Sequence, residues 1–352
     1  MDHQLKIPTS LCLLRTSALG DVTHVVPLLR RLQRTLPGCQ LTWIIGKPER
    51  RLLGDIDGVE FITFDKSQGM AGWGAVHQQL RGRRFDALLH MQVALRANLL
   101  SLALSARRRI GYDRARSKDL HGLFINERIA EQPGQHVLDA MGSFADPLGV
   151  PAASARWDIP IPEEAQAWAR EQCPDGPPVL LISPCSSHAL RNWRAERYAA
   201  VANHAVKALG MRIVLSGGPT AIEHAMGDAI SAQLQGPALN LIGKDTLKRA
   251  LALYQRASIV LTPDSGPMHM ANAVGAPVLG LHAATNPERS GPYSDRRWCV
   301  NRYDAAARQY LGKVAAGIPW GTRIQRPGVM DLISVDDVIE RLEAFAQSTH
   351  VS

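Results

Sequence analysis

The segment Thr262–His269 places a carboxylate, two hydroxyl groups and an imidazole within one short stretch. The apolar run Ala257–Thr262 in front of it predicts a strand, and the residues after it predict a helix. Pro267 suits the first turn of that helix, and Gly266 allows the backbone to approach a ligand closely. Because N–H groups at a helix N-terminus carry a positive partial charge, this turn is suited to bind a phosphate.

A second strand, Pro277–His282, follows this helix directly, so the segment predicts a βαβ unit of a parallel sheet. Such sheets bind ligands beyond the carboxyl ends of their strands. The alternative for this segment is that Asp264 only caps the helix and His269 only packs in its first turn, since strand–turn–helix units occur throughout α/β proteins.

A second turn of this kind follows the predicted strand Leu11–Leu14 and ends at Asp21. The helix after it has an apolar face made of Val22, Val25, Val26, Leu29, Leu32 and Leu36. The turn lacks both the lysine of a Walker motif and the three glycines of a dinucleotide-binding loop. Asp21 is therefore either a helix cap or a carboxylate placed at a cleft as a general base.

Two further turns follow predicted strands in the second half. After Val179–Ile182, the hydroxyl groups of Ser186 and Ser187 and the charge of Arg191 could bind phosphate oxygens. After Met211–Leu215, a Gly-Gly turn and Glu223 suit a ribose diol, although a glutamate in a first helical turn is usually a cap.

Two basic stretches stand out in the first half. Arg81–Arg84 is typical of a solvated face. The run Arg107–Lys118 is denser and favours an anion site, because arginine is suited to bidentate contacts with carboxylates or phosphates.

Length and composition place limits on the whole. A chain of 352 residues with 45% apolar and 20% charged residues predicts a packed protein of two domains. The net charge of +8 favours an acidic partner. Five separated cysteines without a C-x-x-C pair predict reduced thiols of a cytosolic protein and no zinc site. The N-terminus has no signal-peptide core, and no run approaches the ~18 apolar residues of a membrane span.

Strands alternate with helices along both halves, which predicts doubly wound sheets. The other strands are expected at Leu41–Ile45, Val59–Phe64, Phe85–Met91 and Asn240–Ile242. Prolines crowd the chain between 132 and 178, so the interdomain connection is expected at about 160–177. An amphipathic helix, Ile333–Phe345, closes the chain.

With these motifs in this order, the chain resembles the heptosyltransferase family of lipopolysaccharide core assembly, glycosyltransferase family 9. The resemblance rests on the stretches Leu11–Asp21, Asp264–His269 and Asn286–Tyr293.

The resemblance implies an α/β GT-B fold, in which two Rossmann-like doubly wound domains face a central cleft. An acceptor-binding domain is expected over 1–165 and a nucleotide-sugar-binding domain over 175–330. The remaining 331–352 would form a C-terminal helix that could pack back on the N-terminal domain. No metal and no other cofactor is expected.

The resemblance also implies roles for residues, carried over by position. Asp21 matches the proposed catalytic base. The donor would be bound by Ser186, Ser187, Arg191, Glu223, Asp264, Ser265, Gly266, Pro267, Met268 and His269. Arg191 stands where many members have lysine. Arg114, Arg116 and Lys118 lie in the region that would meet the acidic acceptor sugar.

The implied reaction is a single displacement that moves heptose from ADP-heptose to the inner core of lipopolysaccharide, either Kdo or heptose, with inversion. The enzyme would be cytoplasmic and peripheral on the inner face of the inner membrane, and no specific nucleic acid is expected as a partner. Alternatives are transfer of another nucleotide sugar in core or surface glycan synthesis, a sugar-nucleotide epimerase of the same fold, or a basic nucleic-acid-binding regulator. Net charge supports the last, but no DNA- or RNA-binding motif is present.

Overall fold

The computed structural model describes residues 7–350, in which the chain separates into two compact units. The first unit ends at Pro160 and the second begins at Ile161. The first six residues and the last two lie outside the described part, so the expectation of no signal peptide falls partly on residues that the structure does not describe. The assignment of acceptor and donor to the two domains stays a prediction.

The first unit alternates strands and helices from its start. Its strands are β1 (Ser10–Leu14), β2 (Gln40–Gly46), β3 (Glu60–Phe64), β4 (Arg84–His90), β5 (Ser105–Gly111) and β6 (Glu127–Arg128). Its α-helices are α1 (Leu19–Thr35), α2 (Lys47–Leu53), α3 (Gly69–Leu80), α4 (Leu95–Leu100) and α5 (Val137–Gly142). The 3₁₀ turns are Lys66–Gln68, Ser101–Ala103, His121–Leu123 and Ser143–Leu148.

These strands form one parallel sheet in the order β3-β2-β1-β4-β5-β6. The strand order reverses between β1 and β4, which is where doubly wound sheets form their ligand crevice. The predicted apolar face of α1 is buried, with Val22, Val25 and Leu29 fully inaccessible to solvent. The turn that carries Asp21 is thus fixed between a central strand and a well-packed helix.

The second unit repeats the alternation. Its strands are β7 (Val179–Ile182), β8 (Arg212–Leu215), β9 (Ala238–Asn240), β10 (Ile259–Pro263), β11 (Val278–His282) and β12 (Val300–Asn301). Its α-helices are α6 (Glu163–Gln172), α7 (Ala195–Leu209), α8 (Ala221–Ser231), α9 (Leu247–Arg256), α10 (Gly266–Ala273), α11 (Pro287–Ser290), α12 (Tyr303–Leu311) and α13 (Val335–His350). The 3₁₀ turns are Ala189–Arg191, Ala315–Gly317 and Val329–Leu332.

The second sheet is also parallel, in the order β12-β11-β10-β7-β8-β9. Its order reverses between β7 and β10, so the loops after these two strands meet at the switch point. The resemblance allowed the C-terminal helix to pack back on the N-terminal domain. The structure differs, because α13 buries Val338, Leu342 and Phe345 in the core of the second unit. No helix in residues 7–350 is long and apolar enough to cross a membrane.

Two expectations about strands need correction. The basic run at Arg107–Arg109 lies in strand β5, which its composition did not predict. Strand β9 ends at Asn240, so Leu241 and Ile242 belong to the following loop rather than to the sheet.

Candidate functional site

The turn between β10 and α10 lies at the switch point of the second sheet. Asp264 directly follows β10, Ser265 is the N-cap of α10, and Pro267 stands in the first helical turn. The Ser265 hydroxyl lies 3.0 Å from the Thr262 hydroxyl. The alternative that Asp264 caps this helix is therefore wrong, because Ser265 occupies the cap position.

The Asp264 carboxylate is buried among polar groups from the 3₁₀ turn after β7, from α10 and from α11. Arg191 Nη1 lies 3.8 Å from Oδ2, and His269 Nε2 lies 3.7 Å from Oδ1. The Ser290 hydroxyl donates a hydrogen bond of 3.2 Å to Oδ2. Burial alone would raise the pKa of Asp264, but the interaction with His269 and the positive charge of Arg191 hold that pKa well below the usual range.

His282, at the end of β11, is the other titratable group near Asp264. It is fully buried, and its Nδ1 lies 3.3 Å from the Thr285 hydroxyl. Burial lowers the pKa of His282 to about 4 against the partly compensating attraction of Asp264. The ring is therefore neutral at neutral pH, and the permanent positive charge beside Asp264 belongs to Arg191.

The loop after β7 brings Ser186, Ser187 and Arg191 to the same edge of the sheet. Ser186 N–H donates to Asn192 Oδ1 at 2.7 Å, and the Ser186 hydroxyl accepts from His188 N–H at 3.3 Å. Ser187 is exposed, whereas the 3₁₀ turn Ala189–Arg191 carries Arg191 back into the unit, where it is buried. These contacts give the loop a defined shape around its serines.

Trp193 anchors the end of this loop in the core of the second unit. Its side chain is only 1% exposed, and its indole N–H donates to the carbonyl of Ile333 at 3.1 Å. The indole therefore packs in the core of the second unit.

Glu223 caps the helix α8. Its Oε1 accepts from the Gly218 N–H and its Oε2 from the Thr220 hydroxyl, both at 2.7 Å, while Thr220 accepts from the Glu223 N–H. Thr220 is the N-cap residue, and Glu223 supports this cap from the first helical turn by bonding the Thr220 side chain and the preceding loop. The carboxylate also covers the Gly-Gly turn, since a Cβ added at Gly218 would lie 2.9 Å from Oε2. The capping alternative is thus observed, and the ribose contact stays a prediction.

Sequence reasoning missed Asp245, which follows β9 at the same sheet edge. The Ser216 hydroxyl, after β8, donates to its Oδ2 at 3.4 Å. Burial raises the pKa of Asp245 to about 6. Its place shortly after a predicted strand was a usable signal.

In the first unit, Asp21 stands in the first turn of α1 and pairs with Arg15 from the end of β1. Arg15 Nη2 lies 2.5 Å from Asp21 Oδ2, which also accepts from the Ala18 N–H at 3.2 Å. The side chain of Asp21 is 43% exposed and that of Arg15 only 13%. The carboxylate is therefore held in place at its base and open to a ligand.

Gln92, after β4, closes this turn across the switch point. Its side-chain carbonyl accepts from the Thr16 N–H at 2.8 Å, and its amide donates to the Ser17 hydroxyl at 3.2 Å. Nothing in the sequence pointed to Gln92, because its role depends on β1 and β4 being neighbours.

The basic run divides into internal and exposed members. Arg108 forms a bidentate ion pair with Glu127, and Arg109 bonds to backbone oxygens of Ser101 and Phe124. For these two residues the expectation of an anion site is wrong, because their donors are used within the unit.

The three predicted acceptor residues also differ. The guanidinium of Arg116 bonds Asp113, Gln135 and the carbonyl of Ala130. Arg114 and Lys118 are exposed. Arg116 therefore shapes the loop, and the other two keep their charges in solvent.

The structure thus gathers the predicted donor residues at one edge of the second sheet, and Asp21 at the matching edge of the first. In residues 7–349, no group of three or more His, Cys, Asp and Glu side chains is arranged to hold a metal ion.

Comparison with known proteins decides the family. The family model of glycosyltransferase family 9 (heptosyltransferase) matches residues 73–315, more than half of the chain. The lipopolysaccharide core heptosyltransferase OpsX of Haemophilus influenzae is 38% identical over 96% of both chains. The chain belongs to glycosyltransferase family 9. It is therefore a glycosyltransferase, and the epimerase and nucleic-acid-binding alternatives are set aside.

Solved structures of family 9 proteins confirm the GT-B fold. A family 9 glycosyl transferase from Veillonella parvula superposes with a TM-score of 0.79 at 22% identity, covering 97% of each chain. The E. coli heptosyltransferase WaaC, solved with ADP, gives a TM-score of 0.73 at 17% identity, covering 96% of this chain and 99% of its own.

Proposed function

We propose that this family 9 enzyme transfers a heptose from ADP-heptose to the inner core of lipopolysaccharide, onto Kdo or heptose, with inversion at the anomeric carbon. The observation that carries the proposal is the meeting of Arg191, Asp264 and His269 at the switch point of the second unit. The name of the H. influenzae relative, a lipopolysaccharide core heptosyltransferase, supports the choice of sugar and acceptor.

The second unit binds the donor in this proposal. The diphosphate lies over the N-terminus of α10, where the N–H groups after Gly266 and the hydroxyls of Ser186 and Ser187 donate to its oxygens. Arg191 adds the positive charge. Asp264 and His269 contact the heptose, and Glu223 contacts the ribose.

Asp21 of the first unit is the general base. It takes the proton from an acceptor hydroxyl while that oxygen forms a bond to the anomeric carbon. The bond from this carbon to the diphosphate oxygen breaks at the same time, and the electron pair leaves with ADP. The ion pair with Arg15 fixes the direction of the Asp21 carboxylate.

Negative charge grows on the departing diphosphate in this step. Arg191, Ser186, Ser187 and the helix N-terminus stabilise it without a metal ion in this mechanism, because fixed donors need no reorganisation as the charge develops. Arg114 and Lys118 attract the acidic acceptor, since both charges are exposed.

The enzyme works in the cytoplasm, against the inner face of the inner membrane. The donor is a water-soluble nucleotide sugar, whereas the acceptor is anchored in lipid, so the protein acts where the two meet. The net charge of +8 favours contact with an anionic surface.

A transfer assay with ADP-heptose and a de-acylated inner-core acceptor tests the proposal. Asp21→Asn should lower kcat by ~10²–10⁴ while ADP affinity stays unchanged, because the amide keeps the shape but accepts no proton. Asp57→Asn, an exposed aspartate of the same unit, is the matched control and should keep full turnover. Full turnover of Asp21→Asn would remove Asp21 as the base, and preference for another nucleotide sugar in a donor panel would replace ADP-heptose.

A further inference from the structure

The first unit exposes six large apolar side chains on three neighbouring segments. Their exposed fractions lie between 48% and 80%. They are Met70, Leu95, Leu99, Leu102, Leu120 and Leu123, here called the leucine surface. Contiguous apolar surfaces of this kind mark sites of interaction with proteins or membranes.

Three of these leucines share one helical face. Leu95, Leu99 and Leu102 follow each other at intervals of four and three residues along α4 and the 3₁₀ turn after it. This spacing places side chains above one another. Ala97 and Leu100 point into the core instead, so the outer row is not part of the hydrophobic core.

The loop before β6 is tied against this helix. The Asn98 amide donates to the Asp119 carbonyl at 2.8 Å, and Asn98 Oδ1 lies 2.8 Å from His121 Nδ1. The Asp119 carboxylate accepts from the Leu95 N–H at 3.2 Å. Leu120 is flanked by these contacts on both sides and therefore lies beside the helical row.

Two more contacts bring the remaining members to the same place. Arg109 bonds to the carbonyls of Ser101 and Phe124, the residues next to Leu102 and Leu123, and so holds the two segments together. On the other side, the indole N–H of Trp73 donates to the carbonyl of Leu99 at 3.2 Å.

Met70 lies one turn before Trp73 on α3, on the same side of that helix. The six side chains therefore belong to one surface built from α3, α4 and the loop before β6.

The backbone at the centre of this surface is strained. Asp119 and Leu120 have φ values of +51° and +60°, in the left-handed region that a bulky residue rarely adopts. Leu120 is 68% exposed, so the fold gains little from burying it. Strained backbone of this kind is concentrated at sites that contact a ligand or a partner.

Positive charge surrounds the leucine surface. Residues 94–126 carry seven lysines and arginines against two aspartates, +5 of the net charge of +8 of the whole chain. Arg96, Arg107, Arg114 and Lys118 are exposed among them. An apolar area with a basic border is complementary to an anionic lipid bilayer, whose headgroups attract the cations while its interior takes up the apolar side chains.

One end of the leucine surface, at Leu95 and Leu120, lies at the carboxyl edge of the first sheet. The helix α4 and the loop before β6 follow the carboxyl ends of β4 and β5, and Asp21 follows that of the neighbouring β1. Gln92 joins the loops after β1 and β4 directly. A surface that rests on a membrane here would bring Asp21 close to a lipid-anchored acceptor.

We propose that the leucine surface docks on an anionic phospholipid bilayer, with Leu99, Leu102 and Leu123 entering the headgroup region and the basic side chains resting on the phosphates. This inference rests on the proposed function in one respect, which is that the acceptor is anchored in lipid.

Sedimentation of the full chain with vesicles tests the docking. Vesicles of phosphatidylcholine with phosphatidylglycerol should bind the protein, and added salt or phosphatidylcholine alone should weaken binding, because the basic border needs anionic lipid. The triple variant Leu99→Ser, Leu102→Ser, Leu123→Ser should lower the partition coefficient by at least about tenfold. Arg96→Glu should lower it by about fivefold or more.

The control is a double variant of exposed valines in the second unit, Val206→Ser with Val314→Ser, which should bind vesicles like the wild type. Transfer to a de-acylated, water-soluble acceptor should stay unchanged in the triple variant, which also shows that it is folded. Transfer to an intact acceptor in vesicles should fall with the partition coefficient.

Three results would overturn the docking proposal. The first is no binding of the wild type to anionic vesicles at low salt. The second is binding of the triple variant equal to that of the wild type. The third is a wild type that is dimeric in light scattering while the triple variant is monomeric. Vesicle binding through these leucines without heptose transfer would instead defeat the proposed function and leave the docking surface standing.

Discussion

Arg191 and Asp264 form a nearly dry ion pair at a distance of 3.8 Å, which is longer than a direct hydrogen bond. Burial disfavours an ionised carboxylate at this place. The charges and donors around Asp264 outweigh burial, lower its pKa and keep it ionised. Arg191 therefore faces two anions in the proposed complex, the carboxylate and the diphosphate. Its planar fork can contact both, which a lysine ammonium in this place could do less well.

His282 makes the stability of the second unit depend on pH. Its folded pKa of about 4 lies below the ~6.5 of an unfolded histidine. Between these values the unfolded chain binds a proton that the folded chain does not, so stability falls as the pH is lowered through this window. The loss from this residue should reach about 3 kcal/mol.

Denaturant unfolding at pH 7 and pH 4.5 measures this effect. His282→Gln should flatten the pH dependence by about 2 kcal/mol, whatever it does to stability at pH 7. His224→Gln, an exposed histidine of the same unit, should keep the wild-type slope. An unchanged slope in His282→Gln would mean that this ring is protonated in the folded protein.

At the scale of elements, the start of α8 separates the two roles of Glu223. Thr220→Ala removes the helix cap and one of the two hydrogen bonds to the Glu223 carboxylate, and should cost ~1 kcal/mol of stability. The bond from the Gly218 N–H still holds that carboxylate, so ADP affinity should fall far less than in Glu223→Ala. Glu223→Ala should cost a similar amount and also weaken ADP binding about tenfold or more, if the carboxylate accepts from the ribose.

Calorimetric titration with ADP and denaturant unfolding of both variants give the comparison. Equal loss of stability and equal ADP affinity in the two variants would reduce Glu223 to a cap.

The loop after β5 offers a second separation of structural and binding roles. Arg116→Ala should lower the free energy of unfolding by ~2 kcal/mol, because the Asp113 carboxylate is left buried without its partner. Arg114→Ala with Lys118→Ala should leave stability unchanged and raise the KM for the acceptor, since both side chains are exposed. Unchanged KM in the double variant would remove this loop from the acceptor site.

The strands that sequence reasoning found are the apolar ones. Runs such as Leu11–Leu14 and Ile259–Leu261 are buried on both faces, as parallel strands between helices must be. Strand β5 escaped because its arginines were interpreted as part of an anion site rather than as strand residues. They are accommodated by Glu127 and by backbone oxygens, which the fold brings near from other segments.

Sequence patterns are limited in the same way at the candidate functional site, because they do not show which distant residues the fold brings together. Asp21 and Asp264 could be predicted because each follows an apolar run and opens a helix. Gln92, Ser290 and His282 could not, because each acts on a residue that lies far away in the chain and close in the fold. Local pattern thus identifies the turns at a switch point, and topology supplies their partners.

At the scale of the whole molecule, the proposed function assigns the donor to the unit with the second sheet and the acceptor to the unit with the first. ADP should therefore slow amide hydrogen exchange in the loops of the second unit that follow β7, β8 and β10. Bound ligand stabilises the closed state of the loops that contact it, by ~2.7 kcal/mol at 100 times its dissociation constant. Amide hydrogen exchange in the first sheet, β1–β6, should be the same with and without ADP.

Hydrogen exchange read out by mass spectrometry, with and without ADP, tests this division of roles. Arg191→Ala at the same ADP concentration is the control, and it should show weaker protection because it lacks the charge beside Asp264. Protection confined to the turn that carries Asp21 would place the nucleotide on the first unit and reverse the assignment. Protection after β10 but not after β8 would keep the diphosphate site and remove the ribose from Glu223, because that carboxylate bonds the Gly218 N–H in the loop after β8.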